Sequence, residues 1–319
     1  MKILAHIPFF MPFHNAGAET MVFDIFKYLM SKGHDCSVIC DDHILKEYKG
    51  INIYVHNVEK GIKLNLKKIY NEHDVIITHL GRTGTVYNNL LGLNKVQFNI
   101  VHNNNRDSIL HYKKNQFAIY NSEFVRDYLK YPCESVLCRP YARIEDYAVE
   151  REGEYITLVG TNKNKGGQFL QALSKLMPDK KFLAVRGAYG VQVEQFPNNV
   201  TVKEHTDDIK EVYKKTSILL VPSISESWCR VASEAMCSGI PIIYNPCKGL
   251  KENISYGGTG IAREDLNGWK RQIHEIEKDY EKHCIKSFER ALEQNTWDDL
   301  ENLENFLIKN HAIKSHCLN

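Results

Sequence analysis

Residues 217–243 read SILLVPSISESWCRVASEAMCSGIPII, and this stretch decides the fold. An apolar run of strand length opens it, a helical segment follows, and Gly239 ends that helix before a second apolar run at 240–243. This succession of strand, helix and buried strand predicts a parallel α/β sheet. Glu226 lies in the loop after the first strand and Glu234 early in the helix, at the sheet edge where open α/β sheets bind ligands. Carboxylates at that edge suit sugar hydroxyls, because each can accept two hydroxyl protons at once.

Length and composition favour a folded protein of two domains. The chain has 319 residues, of which 43% are hydrophobic and 25% charged. Its 41 basic and 39 acidic residues nearly balance, so the net charge of +2 does not indicate a polyanionic partner. The first residues lack the apolar core of a signal peptide, and no apolar run approaches the roughly 20 residues of a membrane helix. We therefore expect a cytoplasmic protein with no transmembrane segment.

The nine cysteines are odd in number and include no Cys-x-x-Cys pair, which is typical of a reducing compartment. Cys36 and Cys40 share one face of a predicted strand, and with His34 and His43 nearby they could ligate zinc. Such cysteines are more often small buried apolar residues. We expect no metal site.

Apolar strands alternate with helical segments along both halves of the chain, which predicts doubly wound parallel sheets. Pro140 and a cluster of charges mark a linker at 139–153, and a terminal helix is predicted at 298–310. The predicted strands are 2–10, 36–40, 51–56, 74–80, 96–102 and 117–121 in the first half, and 155–160, 181–186, 217–222 and 240–243 in the second.

The run from Glu226 to Glu234 resembles the Glu, seven residues, Glu signature of retaining glycosyltransferases of the GT-B fold, family 4, also described as glycosyl transferases group 1. Acids at a helix start are also favoured by the helix dipole alone, but the flanking strand and the Ser-Gly-Ile-Pro exit favour the signature. The resemblance implies an α/β chain with two Rossmann-like doubly wound parallel-sheet domains facing across a cleft. It implies an acceptor-side domain at 1–148, a nucleotide-sugar domain at 149–297, and a helix at 298–319 that crosses back toward the N-terminal domain. In that family the first Glu contacts the donor sugar and the second holds the ribose hydroxyls.

A second resemblance lies between the first strand and the first helix. The segment from His14 to Glu19 resembles the family's Gly-Gly-x-Glu loop beside the donor diphosphate, where glycine allows close backbone approach and free N–H groups attract phosphate. Gly17 matches the first glycine, and Ala18 replaces the second. An ordinary turn is the alternative interpretation.

Residues 160–166, GTNKNKG, follow the first strand of the second half. They resemble the family segment in which an Arg after one Gly and a Lys before another neutralise the leaving diphosphate. Lys165 matches the Lys, but Thr161 occupies the position of the Arg. The resemblance therefore requires another cation, and Lys163 or Arg186 could serve.

His102 ends the strand predicted at 96–102, at the place where a family histidine contacts the transferred sugar. The resemblance assigns that role to His102. A single histidine is more often a hydrogen-bonded structural residue.

The function implied by the resemblance is retaining transfer of a sugar from a nucleoside-diphosphate sugar, UDP- or GDP-linked, to an acceptor hydroxyl. No Asp-x-Asp clamp is present at a strand end, so the resemblance implies a metal-independent enzyme with no cofactor. The expected acceptor is a glycan or a lipid-linked glycan. Three alternatives stay open: a viral-type DNA glycosyltransferase acting on hydroxymethylated cytosine, a catalytically inactive nucleotide-sugar-binding module, and a nucleotide-sugar epimerase. The oligomeric state is not predicted.

Overall fold

The computed structural model describes residues 1–93, 95–104, 116–206 and 208–316. The chain divides into two compact units. Unit 1 comprises Met1–Pro140 together with Trp297–Asn319, and unit 2 comprises Tyr141–Thr296. Each unit is built on a largely parallel sheet with helices between its strands. The predicted class, α/β with two doubly wound parallel sheets, is confirmed.

Unit 1 contains a sheet of eight strands in the order β3-β4-β2-β1-β5-β6-β7-β8. The β3–β4 pair is antiparallel and the other neighbours pair in parallel. Three central strands are buried over almost their whole length, as expected for a parallel sheet covered on both faces. The elements of unit 1 are β1 (Lys2–His6), α1 (Gly17–Ser31), β2 (Asp35–Cys40), β3 (Glu47–Tyr48), β4 (Ile51–Val55), α2 (Leu66–Asn71), β5 (Val75–His79), α3 (Arg82–Leu90), β6 (Val96–Val101), β7 (Gln116–Tyr120), α4 (Glu123–Leu129) and β8 (Ser135–Leu137).

The terminal helix belongs to unit 1, although unit 2 precedes it in the chain. Leu300, Leu303 and Leu307 of this helix lie in the core formed by β1, α1 and their neighbouring strands. Asp299 receives two hydrogen bonds from the guanidinium of Arg139, each at 3.0 Å. An apolar stripe and an ion pair therefore fix the helix on unit 1. In the order of elements along the chain it is α12 (Asp298–His316).

Unit 2 contains a six-stranded parallel sheet in the order β11-β10-β9-β12-β13-β14. The chain runs outward from β9 to β10 and β11, and then returns to the other side of β9 with β12. The order reverses at that point, so the loops after β9 and β12 lie next to each other at the carboxyl edge of the sheet. The elements of unit 2 are α5 (Ile144–Tyr147), β9 (Tyr155–Val159), α6 (Gly167–Leu176), β10 (Phe182–Val185), β11 (Val200–Lys203), α7 (Lys210–Lys215), β12 (Thr216–Val221), α8 (Arg230–Met236), β13 (Ile242–Tyr244), α9 (Lys248–Ile254), β14 (Gly258–Gly260), α10 (Leu266–Lys278) and α11 (Tyr280–Gln294).

The cysteines considered as zinc ligands pack in the core of unit 1. Cys36 and Cys40 are buried and free, and burial raises the pKa of each thiol to about 12. Across the described ranges, no group of three or more His, Cys, Asp and Glu side chains is placed to hold a metal ion. Within the same ranges, no helix combines the length and the apolar character needed to span a bilayer.

Candidate functional site

Two of the predicted site residues meet where the strand order of unit 2 reverses. Lys165 comes from the loop after β9 and Glu226 from the loop after β12. The Lys165 ammonium Nζ lies 2.5 Å from Glu226 Oε1. The Glu226 side chain is 11% exposed and that of Lys165 is 34% exposed, so the pair is shielded but still open to a ligand on the lysine side. The topology of the sheet thus places a cation and a carboxylate at the ligand-binding edge.

The charge of Lys165 is maintained by its partner. Burial disfavours the ammonium form, but the Glu226 carboxylate outweighs this effect and holds the pKa of Lys165 above its usual value. Because the folded pKa is raised, Lys165 stays charged at neutral pH and loses its proton only above its ordinary range of about 10.4. A permanent cation at this place can stabilise a bound anion.

Glycines allow the two loops to pack closely. Gly160 has φ +86°, and a Cβ there would lie 3.1 Å from Lys165 Cγ. Gly166 has φ +112°, and a Cβ there would lie 2.4 Å from Pro222 Cγ. Residues other than glycine rarely adopt either of these backbone conformations. The glycines on either side of Lys165 therefore set both the path of its loop and its contact with the loop after β12.

The position that the family fills with Arg is occupied differently here. Thr161 is fully buried, and its backbone N and its hydroxyl both donate to Gln192 Oε1 at 3.0 Å. Gly187 N donates to the same oxygen at 3.0 Å. Gln192 therefore ties the loop after β9 to the loop after β10 through a neutral amide, where the family pattern has a cation.

The two cations predicted as substitutes are placed differently from each other. Arg186 follows β10, and its Nε lies 3.2 Å from Glu204 Oε1, so an acid at the neighbouring strand end offsets part of its charge. Lys163 is exposed on the same loop as Lys165. Of the two residues, Lys163 is the more exposed, and Arg186 is the one with a carboxylate neighbour.

Glu234 is the fifth residue of α8 and is buried against its own unit. Arg230 Nε donates to Glu234 Oε1 at 3.0 Å, and the Tyr213 hydroxyl donates to Oε2 at 2.8 Å. The Arg230 guanidinium also donates to the Tyr147 hydroxyl at 2.8 Å. The two contacts on Glu234 occupy two of the roughly four acceptor positions of a carboxylate. Glu234 thus has a structural role in unit 2 and retains acceptor capacity.

Trp228 fixes the loop that carries Glu226 to the core of unit 2. Its side chain is 2% exposed, and its Nε1 donates to the Ser233 hydroxyl at 3.1 Å. Asn253 of α9 donates from its amide to the carbonyls of Trp228 and Cys229, both at 2.9 Å. Cys229 has φ +79°, a backbone conformation that is costly for any residue other than glycine. These buried contacts hold that conformation and fix the turn between Glu226 and α8.

Gly249 of α9 lies directly against the Glu226 loop, and a substitution there tests that packing. A Cβ at Gly249 would lie 2.2 Å from the carbonyl oxygen of Glu226 and 2.6 Å from that of Ser227. Backbone atoms cannot move aside cheaply, so Gly249→Ala is expected to cost about 3 kcal/mol and to lower the Tm by about 6–12 °C. Differential scanning fluorimetry measures this change. Gly17→Ala is the matched control, because no atom lies within 4 Å of a Cβ at Gly17. Equal Tm values for the two variants would contradict this packing.

In unit 1, α1 begins at Gly17, and its N-cap residue Ala16 provides no side-chain hydrogen bond. Gly17 is exposed and Ala18 is partly exposed at the start of this 15-residue helix. Glu19 is 4% exposed, and its Oε2 has no partner among the described residues. Burial raises the pKa of Glu19, although backbone N–H groups oppose this. The start of α1 is therefore a place where an anion could bind.

His102 directly follows β6 and lies beside His79, the last residue of β5. Their ring centroids are 5.0 Å apart in an edge-to-face arrangement. Within the described ranges, both ring nitrogens of His79 and Nε2 of His102 are buried without a hydrogen-bond partner. His102 and Asn99 line a small cavity, and the Asn99 amide nitrogen also has no partner in the described part of the chain. Unit 1 therefore offers neutral hydrogen-bonding groups at the carboxyl edge of β5 and β6.

Burial keeps three imidazoles of unit 1 neutral. It lowers the pKa of His102 to about 4, that of His6 to about 3, and that of His79 well below its usual range. The unfolded chain takes up protons at these histidines below pH ~6.5, while the folded chain does not. We therefore expect the Tm to fall as the pH is lowered from 6.5 towards 4.

His79→Leu should reduce this acid sensitivity, since one buried imidazole is removed and a leucine carries no proton. Melting curves of the wild type and the variant between pH 7.5 and 4.5 measure the effect. The difference between the two curves isolates His79, because every other group titrates in both proteins. Parallel curves would show that His79 does not stay neutral on folding.

Several residues with clear roles at these sites were not predicted from the sequence. Arg230 stands four residues before Glu234 on a helix, and that spacing could have indicated the ion pair. Tyr213, Gln192 and Arg263 reach the site from distant parts of the chain, and no local pattern marks them. Arg263 donates two hydrogen bonds to carbonyls of the Lys165 loop, which only the tertiary structure shows.

Comparisons with known proteins show what the sequence and the fold are similar to. Residues 191–293 match the family model described as Glycosyl transferases group 1, and this segment includes Glu226 and Glu234. Uncharacterized glycosyltransferase MJ1607 of Methanocaldococcus jannaschii is 36% identical over 55 residues. These residues are 17% of this chain and 14% of that protein, so the match covers a small part of either.

Three solved structures are similar over almost their whole length. Sucrose-phosphate synthase of Thermosynechococcus elongatus has a TM-score of 0.76 and 15% identity, covering 99% of this chain and 100% of that one. HepE of Anabaena, in complex with UDP-glucose, has a TM-score of 0.76 and 15% identity, covering 100% and 99%. An alpha-glucosyltransferase in complex with UDP and a 13-mer DNA has a TM-score of 0.68 and 12% identity, covering 97% and 100%. Likeness at these identities shows the fold alone, and the chain has the GT-B fold that its sequence predicted.

Proposed function

We propose that this protein is a retaining glycosyltransferase that moves a sugar from a nucleoside-diphosphate sugar to an acceptor hydroxyl without a metal ion. The observation that carries the proposal is the ion pair between Lys165 and Glu226 where the strand order of unit 2 reverses. A diphosphate needs a cation and a sugar needs hydrogen-bond acceptors, and this pair supplies both at the edge where such sheets bind nucleotides. The match of residues 191–293 to the glycosyl transferases group 1 model supports the same assignment.

In the proposed reaction, the bond between the sugar anomeric carbon and the diphosphate oxygen breaks, and the electron pair leaves with the diphosphate. Lys165 stabilises the charge that develops on this leaving group. Glu226 accepts hydrogen bonds from hydroxyls of the transferred sugar, and Glu234 accepts them from the ribose. The acceptor hydroxyl attacks the face from which the diphosphate departs and passes its proton to the departing diphosphate oxygen. The anomeric configuration is therefore retained, and no covalent enzyme intermediate is needed.

A second positive charge near the diphosphate is assigned to Lys163. Glu204 offsets part of the charge of Arg186, whereas Lys163 is exposed on the loop of Lys165 itself. Arg186 keeps a proposed role in nucleotide binding, because it stands at the carboxyl end of β10. A drop in diphosphate affinity for Arg186→Met that exceeds the drop for Lys163→Met would reverse this ranking.

The proposed roles in unit 1 concern the helix start and the buried histidine. Gly17 and Ala18 would offer free backbone N–H groups to the diphosphate, and His102 would hydrogen-bond the transferred sugar as a neutral imidazole. The accessible start of α1 and the unpartnered Nε2 of His102 in the described structure support these assignments. Because a Cβ at Gly17 meets no neighbouring atom, weaker donor binding by Gly17→Ala would indicate close approach of the ligand there.

The acceptor is proposed to be a glycan or a lipid-linked glycan. A base in DNA is the second candidate, since the similar alpha-glucosyltransferase is described in complex with DNA. The near balance of charge, with 41 basic and 39 acidic residues, favours the first candidate, because such a balance does not indicate a polyanionic partner.

A thermal-shift screen of UDP-, GDP-, ADP- and CDP-sugars tests the proposal, beginning with UDP-glucose. The cognate donor should raise the Tm by mass action, by an amount that grows with donor concentration. Turnover of that donor in the presence of EDTA would then test metal independence, and proton NMR of the product would give its anomeric configuration. Failure of every donor to bind or turn over would refute the proposed function.

The acceptor is tested with the cognate donor and three substrate classes: oligosaccharides, lipid-linked oligosaccharides, and duplex DNA with hydroxymethylated cytosine. Transfer to one of the first two classes, unaffected by salt, is the expected result. Transfer to DNA that weakens steeply with rising salt would replace it with the second candidate. Slow hydrolysis of the donor with no transfer would leave the acceptor class open and still exclude an inactive binding module.

A further inference from the structure

We propose that Arg263 is a positioning residue that holds the Lys165 loop in place for the diphosphate; this rests on the proposed function. Arg263 follows β14, and its guanidinium donates to the carbonyl oxygens of Lys163 and Asn164, each at 3.0 Å. These two carbonyls belong to the residues immediately before Lys165. One side chain thus fixes the backbone that delivers the cation.

Arg263 is itself fixed in position by its neighbours. Its backbone N donates to Asn245 Oδ1 at 3.3 Å, and the Asn245 amide donates to the carbonyl of Ser223 at 2.9 Å. Asn245 follows β13 and Ser223 follows β12. The backbone of Arg263 is therefore tied to the loops after both neighbouring strands.

The Lys165 loop also contacts the Glu226 loop directly. The carbonyl of Asn164 accepts from Ile224 N at 3.0 Å, and the Asn164 amide donates to the carbonyl of Ser225 at 3.3 Å. Arg263 donates to the same Asn164 carbonyl, so its guanidinium strengthens the point where the loops of Lys165 and Glu226 join. The chain has Thr161 where the family has an Arg after Gly160. Arg263 brings an arginine to this loop from the segment after β14.

The geometry calls for an arginine at this place. The guanidinium is a planar fork that can donate two hydrogen bonds to neighbouring carbonyls at once, whereas a lysine ammonium is a point charge on a flexible stem. We therefore expect Arg263→Lys to behave more like Arg263→Gln than like the wild type. Arg271→Gln is the matched control, because the Arg271 side chain is 71% exposed and its guanidinium lies 3.6 Å from the Asp265 carboxylate.

The loop itself is tested by hydrogen exchange of the backbone amides of residues 161–167, measured without any nucleotide. Arg263→Gln should raise their exchange rates about tenfold, because the loop opens more often when the two carbonyl contacts are lost. Arg271→Gln should leave these rates unchanged. Equal exchange in Arg263→Gln and the wild type would overturn the inference, whatever the enzyme does.

Activity with the cognate donor separates positioning from a general structural effect. Arg263→Gln should lower kcat/KM by about 10- to 100-fold, because a misplaced cation loses much of its effect. In a background that carries both Lys163→Met and Lys165→Met, the same change should alter kcat/KM less than about twofold, since neither cation of the loop remains to be positioned. Equal losses in both backgrounds, or full activity of Arg263→Lys, would overturn the role. If the wild type turns over no donor, the proposed function fails, and hydrogen exchange alone decides whether Arg263 holds the loop.

Discussion

Lys165→Met is expected to lower kcat/KM for sugar transfer by about 10²- to 10³-fold, the usual effect of removing one group that stabilises developing charge. The substitution keeps the length of the side chain and removes its charge. It also leaves the Glu226 carboxylate, 11% exposed, without the partner that lies 2.5 Å away in the wild type. Steady-state kinetics with the cognate nucleotide sugar measure the loss.

The matched control is Lys175→Met, since Lys175 is an exposed lysine on α6 in the same unit. It should retain the activity of the wild type. The loss in Lys165→Met should appear mainly in kcat, because the charge on the diphosphate grows as the bond to the sugar breaks. A Lys165→Met enzyme with normal kinetics would remove Lys165 from the mechanism.

Glu234→Leu is expected to destabilise unit 2 by about 3 kcal/mol and to lower its Tm by about 6–12 °C. The Arg230 side chain is 7% exposed and would be left as a buried charge without its carboxylate partner. The Tyr213 hydroxyl would lose its acceptor at the same time. Differential scanning fluorimetry of the single variant measures this structural role.

The double variant Arg230→Met with Glu234→Leu separates stability from ligand binding. Removing both charges should recover most of the lost stability, because apolar side chains replace buried ion pairs well. Donor affinity should nevertheless stay at least about tenfold below that of the wild type, since hydrogen bonds to a charged group contribute about 1.5–3 kcal/mol. Wild-type donor affinity in the double variant would rule out the ribose contact of Glu234.

The interior strands could be predicted because they are buried on both faces and read as continuous apolar runs. The strand predicted at 36–40 is observed as Asp35–Cys40, and that predicted at 155–160 as Tyr155–Val159. The first strand was predicted to reach Phe10 and ends at His6. Ile7 and Phe10 are buried beyond the end of the strand. Ile7 N still donates to the carbonyl of Ile39 at 3.0 Å, but Pro8 has no N–H to continue the ladder. The buried apolar run therefore extends further along the chain than the strand does.

The short edge strands β3, β8, β11 and β14 were not predicted, because two to four residues of mixed exposure carry no clear period. The candidate site shows the same division. Glu226 and Lys165 stand in recognisable local patterns, whereas their direct contact depends on the strand order around β9 and β12. The Arg263 contacts span 99 and 100 residues of sequence, and no local rule predicts contacts at such separations.

Isothermal titration of nucleotides into the wild type and Lys165→Met tests the central claim most directly. We predict that one of UDP, GDP, ADP and CDP binds the wild type at one site per chain. Lys165→Met should weaken the binding of this diphosphate at least about tenfold, because the charged hydrogen bond between Lys165 and the second phosphate is lost. The affinity for the matching monophosphate, which has no second phosphate, should fall much less. If none of the four diphosphates binds, or if Lys165→Met binds the cognate one as tightly as the wild type, the claim that this edge of unit 2 holds a nucleotide sugar is contradicted.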